Sequence, residues 1–372
     1  MSLKKHKLAL AIAAAAGMTF SAGAMATNGI MQAGNGMVAH GLGGAGLSNA
    51  GEAMAGYDNP ALISQTGDSL SMGFSVFMPD RAWEAGGTEV ASDSKMFAIP
   101  QVAFTSKTSD TISWGIMVNA MGGMNSDYRS GPSATGSETV NLQGMMIAPT
   151  MSFALNKDLS LGASLLLGYE TFTVRNLFGS GTSNEGSAMA YGVKLGANWQ
   201  VTDGISVGGM VQPKMSSDEF AFFKDFLAGG FGFNGDAALV LPNQLGVGGK
   251  FAVGKSIDIV ADLMWYQWSD VDVFEFFGWD DQIVYKVGAE FRPSDKLALR
   301  AGFNYGESPI KGGTILPATG MDAAFANYPF PAVSETHVTL GLGYQMDKNM
   351  AFNAYYLYSP ENTETTAAGT FA

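Results

Sequence analysis

Cysteine is absent from the 372 residues, which excludes disulfide staples, a thiolate zinc site and a thiol nucleophile together. Charge is scarce as well: 14% of the residues are Asp, Glu, Lys or Arg, against about 25% in an ordinary soluble domain. With 3 histidines in the chain, a metal or catalytic centre would have to be built mostly from carboxylates. No stretch reaches the roughly 18 to 20 consecutive apolar residues of a spanning helix, so a helical membrane protein is excluded. Basic clusters are also missing. The chain has 20 Lys and Arg against 33 Asp and Glu, a net charge of -13, and without a basic stripe nucleic acid has no footprint to bind.

What is present begins with an address. Lys4, Lys5 and Lys7 precede an apolar run from Leu8 to Ala16, and Ala24-Met25-Ala26 is the small-x-small pattern that signal peptidase reads. Residues 1–26 are therefore expected to be a secretory leader, with the mature chain starting at Thr27. Removing the leader removes three lysines and no acid, so the mature chain is still more acidic.

From residue 67 onward one pattern recurs. Leu70, Met72, Phe74 and Val76 alternate with Ser69, Ser71, Gly73 and Ser75, the period of a strand with one apolar face. Ile283, Tyr285 and Val287 alternate with Lys286 and Gly288 in the same way, as do Val338, Leu340 and Leu342 with Thr339 and Gly341. About 13 such segments are visible, most near the 9 to 11 residues of a tilted strand that crosses a bilayer. Short polar turns near 107–110, 156–158, 202–204, 254–256, 293–296 and 347–349 alternate with long connections near 80–94, 121–139, 175–186, 213–241, 269–281 and 307–334. That rhythm belongs to outer-membrane barrels, with tight turns on the periplasmic rim and long loops outside. The expected fold is an all-β transmembrane antiparallel barrel over 67–372. Residues 27–66 do not alternate. They are glycine-rich but threaded with Ile30, Met31, Val38, Leu42 and Leu47, which suggests a compact segment packed inside the lumen rather than a linker.

Gly43-Gly44-Ala45-Gly46 followed by Asn59-Pro60-Ala61 resembles the N-terminal hatch of the FadL and TodX family, outer-membrane transporters of hydrophobic compounds. Further matches are Leu241-Pro242 opening a strand, Trp265 in the next, and Leu299-Arg300-Ala301-Gly302 with Ser308-Pro309 after it. Leu340-Gly341-Leu342-Gly343-Tyr344 follows near the end, so the resemblance spans almost the whole mature chain. It implies a 14-stranded barrel plugged by the hatch, in the bacterial outer membrane, that moves long-chain fatty acids or hydrocarbons inward by diffusion. It also implies capture in a greasy groove between extracellular loops, passage to an inner pocket, and sideways exit beside a kinked third strand. Outer-membrane lipid and lipopolysaccharide would be its surroundings, a monomer its expected state, and no cofactor is implied.

Several residues are candidates for these roles. Phe220, Phe223, Phe226 and Leu227 are spaced to share one helical face, with Phe222 and Phe231 beside it; the rings either capture a ligand or pack the loop onto the rim. Phe274, Phe276, Phe277 and Trp279 form a second cluster of the same kind. On the lumen face, Lys194, Lys250, Lys286 and Arg300 accompany Glu170, Asp262 and Glu290. A cation there could hold a fatty-acid carboxylate, with Arg300 favoured for its fork and Lys250 next; the alternative is that the charges pair with each other and with the hatch. Gly122-Gly123 permits a kink and is the expected lateral exit. Asp270, Asp272, Asp280 and Asp281 lack a regular calcium-ligand spacing.

No nucleophile and base can be assembled, so the chain is read as a channel and not as an enzyme. The main alternative is a general porin for small polar solutes, which would show a charged constriction and no hatch. One further expectation concerns the end of the chain. Thirteen strands starting from an internal hatch finish outside, and Ser359 to Ala372 does not alternate, so the sequence is expected to stop in the last extracellular loop. A seam would then separate the first strand from Met350 to Tyr358.

Overall fold

The computed structural model describes residues 28–129, 138–316 and 318–372. The expected leader and its junction at Thr27 lie outside the described residues. The sheet has 14 strands, thirteen on one continuous path and the two-residue Ser216–Ser217 beside it. Along the path, β1 is Ser69–Phe77, β2 Phe97–Lys107, β3 Ile112–Asp127, β4 Thr139–Ala154 and β5 Leu159–Arg175. They are followed by β6 Ser183–Thr202, β7 Ile205–Gln212, β8 Asn243–Val253 and β9 Ile257–Gln267. The last four are β10 Gln282–Phe291, β11 Leu297–Gly306, β12 Thr336–Asp347 and β13 Met350–Tyr358. Each pairs antiparallel with the next.

Alternation sorts the two faces. In β10, Ile283, Tyr285 and Val287 are exposed while Gln282, Val284 and Lys286 are buried. The same holds around the sheet, where Leu165, Val193, Val247, Leu263 and Leu340 face outward. An apolar outside and a polar inside invert the usual soluble arrangement and suit hydrocarbon. Among the described residues no helix is long and apolar enough to cross a membrane.

The sheet wraps around the hatch. A helix at Met37–Gly41 packs on β11, β12 and β13, a turn at Pro60–Leu62 on β4, β5 and β6, and a helix at Ile63–Thr66 on β2, β3 and β4. One compact segment thus touches both ends and the middle of the strand path, so the sheet is rolled into a barrel with the hatch in its lumen. β1 and β13 are the two ends of the strand order and share no ladder among the described residues. Tyr355 Oη donates to Ser75 Oγ at 2.6 Å across that junction.

Two expectations about the elements need correction. The third strand was expected to run out at residue 121, with a long connection from there to 139. β3 instead continues through Gly122-Gly123 to Asp127: a bulge at Met121, between Ala120 and Gly122, shifts the register, and the glycines stay paired with Gly144 and Gln143 of β4. The 80–94 connection and the tail are not irregular throughout. Ala82–Ala85, Thr88–Ala91, Glu364–Thr366 and Gly369–Phe371 form a four-stranded sheet at the loop rim, anchored by buried Trp83 and Phe371.

Candidate functional site

The loop rim holds an aromatic core. The loop helix, Ala221–Phe231, buries Phe223, Leu227 and Phe231, the i, i+4, i+8 stripe that a helix presents to one surface. Phe220 does not share that helical face as its spacing suggested. It is the extended N-cap residue, and Phe226 is half-buried at the edge of the stripe. The stripe meets Phe172 from the inner face of β5: the Phe172 ring lies 5.0 Å from Phe223, 5.3 Å from Phe220 and 5.7 Å from Phe222. Phe178 lies 5.2 Å from Phe231 and 5.7 Å from Tyr328.

The second cluster, from the 269–281 loop, packs Phe274 against Trp279 at 4.5 Å and both against Trp268 at 5.2 Å. Phe330 joins the two clusters, 6.2 Å from Phe277 and 6.4 Å from Phe223. Phe172, Phe178, Trp268, Tyr328 and Phe330 were not singled out from sequence. Phe172 had a readable signal, since it occupies an inward position of an alternating strand near a loop.

Below the aromatic core lies a cavity of ≈ 50 Å³ lined by Met31, Met121, Met146, Leu166, Lys194 and Lys286 among others, room for a few water molecules. Its charges hold the hatch. Lys194 Nζ donates to the Tyr57 carbonyl at 2.7 Å and Lys286 Nζ to the Ala33 carbonyl at 2.8 Å. Asp262 accepts from the backbone N–H groups of Gly46 at 2.7 Å and Leu47 at 3.0 Å.

The hatch motif residues explain themselves at this contact surface. Asn59 Nδ2 donates to the carbonyls of Leu47 at 2.7 Å and Ala197 at 3.0 Å, and its Oδ1 accepts from Ala61 N at 3.1 Å. Pro60 opens the turn, and the Ala61 carbonyl accepts from Ser152 and Ser160 of the wall at 3.0 and 3.2 Å. Gly43 and Gly44 have φ of 70° and 82°, and a Cβ on Gly43 would stand 2.6 Å from the Phe303 backbone. Only glycine adopts that conformation at that distance without strain.

Burial perturbs several hatch groups, Glu52 and His40 among them. The Glu52 carboxyl, which accepts from Val38 N at 2.7 Å, is pushed up to about 7 by desolvation, against 4.5 ordinarily. His40, whose Nδ1 bonds the Gly36 carbonyl at 2.7 Å and whose ring stacks on Tyr355 at 4.4 Å, is pushed down to about 4 by the same cause.

Lys250 and Arg300 are far from the aromatic core, near the turn rim. Lys250 pairs with Asp258 at 3.1 Å, Arg292 bridges Asp258 and Glu290, and Arg300 Nε donates to Glu290 Oε2 at 2.6 Å. Both are thus members of one ionic chain. Three of the four aspartates of the 269–281 region have separate roles: Asp270 pairs with Lys214, Asp272 accepts from Asp236 N, and Asp281 accepts from Ser269 Oγ.

The barrel wall has a notch beside Gly122 and Gly123. β2 pairs with β3 through Val102–Lys107 and Ser113–Val118, but Phe97–Gln101 pairs with β1 and has no β3 partner among the described residues. β3 meanwhile continues to Asp127 against β4 alone. The bare edge of β3 is met by other groups: Gly123 N donates to the Ile30 carbonyl of the hatch at 3.2 Å, and Arg81 Nη1 donates to the Asn125 carbonyl at 2.7 Å. Ile30 sits so close that a Cβ on Gly122 would be 2.9 Å from its carbonyl oxygen.

Residues 12–368 match the family model described as outer membrane protein transport protein (OMPP1/FadL/TodX). Among solved structures, the Pseudomonas putida toluene transporter TodX is 18% identical, with a TM-score of 0.66 over 91% of this chain and 95% of that one. A FadL homologue from Pseudomonas aeruginosa is 15% identical, with a TM-score of 0.62 over 92% and 95% of the two chains. The Ralstonia pickettii toluene transporter TbuX is 17% identical, with a TM-score of 0.63 over 91% and 95%. At these identities the likeness is one of fold. No curated protein is a significant sequence match.

Proposed function

Because this chain belongs to the OMPP1/FadL/TodX family of outer membrane transport proteins, we propose that it admits hydrophobic molecules passively through the bacterial outer membrane. A ligand enters the aromatic core at the extracellular loop rim, moves down to the Met-lined cavity as the hatch yields, and leaves sideways through the notch between β2 and β3 at Gly122 and Gly123. The notch is the observation that carries this reading. In hydrocarbon an unpaired strand edge costs several kcal/mol per group, and here Ile30 and Arg81 answer the edge of β3. Such partners can be withdrawn, as ladder bonds between strands cannot.

Fatty acids and aliphatic or aromatic hydrocarbons are the proposed cargo, and the two family neighbours named as toluene transporters make monoaromatics the first to test. Phe220, Phe223, Phe226, Leu227 and Phe231 would receive the apolar body. Arg300 or Lys250 would hold a carboxylate only by exchanging Glu290 or Asp258 for it. A lumen filled by the hatch weighs against a general porin.

Cells whose own hydrophobe transporter is deleted should regain toluene uptake with this protein while sugar permeability stays unchanged; the reverse pattern supports the porin. Gly122→Leu should slow that uptake severalfold while the barrel still folds. Unchanged uptake would place the exit elsewhere.

A further inference from the structure

One buried carboxyl in the barrel wall lacks a partner. Glu170 points inward from β5 and is 1% exposed. Its Oε2 is buried without a hydrogen bond, and no described residue forms an ion pair with it. The surroundings cannot supply a partner. Its direct ladder neighbours are Gly144 on β4 and Ala188 on β6. The inward positions one step away carry Leu142, Met146, Phe172, Ala190 and two glycines.

Those glycines place Glu170 on the proposed route. A Cβ on Gly186 would meet Phe222 at 3.1 Å and Phe220 at 3.3 Å, and one on Gly168 would meet Met121 Sδ at 2.8 Å. The aromatic core is therefore seated on one side of Glu170, and Met121, which lines the inner cavity beside the notch, on the other. Burying a carboxyl without a partner costs free energy that an apolar residue of similar size would not. The wall has only this polar side chain between the aromatic core and the cavity on β5, where Leu166, Gly168 and Phe172 are the other inward positions.

We infer that Glu170 is a recognition point for substrate, accepting a hydrogen bond from a hydroxyl carried on an otherwise hydrophobic molecule such as a phenol or a long-chain alcohol. The inference rests on the uptake reading above and narrows its substrate class. A plain hydrocarbon has no donor to offer, and a fatty-acid carboxylate brings acceptors only and would have to shed its water in an apolar wall. An ammonium would have to shed its water among phenyl rings and thioethers, which is far costlier than for a hydroxyl.

The test uses toluene and p-cresol, which differ by one hydroxyl, in uptake assays on cells carrying the wild type, Glu170→Gln or Glu170→Leu. Heat-modifiable gel migration verifies that each variant is a folded barrel. Glu170→Leu should lower p-cresol uptake severalfold relative to toluene, the scale of one buried hydrogen bond. Glu170→Gln should retain most of it, because the amide oxygen still accepts. An unchanged cresol-to-toluene ratio in folded Glu170→Leu overturns the assignment, as does an equal loss of both substrates, which would make Glu170 structural. A wild type that takes up neither compound overturns the uptake reading and this inference with it, whereas toluene uptake without any preference for cresol overturns the inference alone.

Discussion

Glu52 and His40 show how single hatch residues set the grip of the plug. Burial disfavours the charged form of both, raising one and lowering the other, and the signs follow from which form the folded state prefers. The raised Glu52 carboxyl contributes stability that is fully present below its ordinary value of 4.5 and is lost as pH climbs through about 7. The lowered His40 contributes stability present above 6.5 and lost as pH falls through about 4. The two oppose each other, so the measurement is a difference. Hydrogen exchange of the 37–41 helix should slow from pH 8 to pH 5 more in the wild type than in Glu52→Gln. Equal pH responses would mean that Glu52 does not report on hatch docking. Neither shift was legible in sequence. Gly43-Gly44 and Asn59-Pro60-Ala61 were, because turn chemistry is local, whereas the burial of Glu52 depends on how the hatch folds back on itself, with Val38 N at its carboxyl.

At the scale of elements, strands were the readable part. Ile283, Tyr285 and Val287 announce their face without knowing their neighbours, and so does every other alternating segment. Loop packing is different. The helix at Ala221–Phe231 could be expected from spacing, but which of its rings faces inward depends on Phe172, Phe178 and Phe330, contributed by three other segments. Gly122-Gly123 marked a kink, while the Ile30 carbonyl that meets it belongs to the hatch. Phe223→Ala should leave a void at the centre of the aromatic core and cost about 3 to 5 kcal/mol. The expected result is faster proteolysis within 213–241, with exchange in β5 and β6 below the rim unchanged. If the loop resists protease as before, Phe223 is not the keystone of that core.

For the whole molecule, a hatch that contacts strands from both ends of the path fills the lumen, with a cavity of ≈ 50 Å³ beside it among the described residues. Planar-bilayer recordings should therefore be near-silent for the full chain and show large steady currents when residues 28–66 are removed. Large currents from the intact protein would return the porin to first place. The rim sheet constrains how this chain is made. Trp83 pairs with Phe371, and Ser75 is bonded by Tyr355, so segments very far apart in sequence must find one another. Contacts of such long separation form late. The loop after β1 cannot reach its final place until Phe371 has been delivered, which leaves the first strands waiting, with their outer edge uncommitted, while the strands between are inserted.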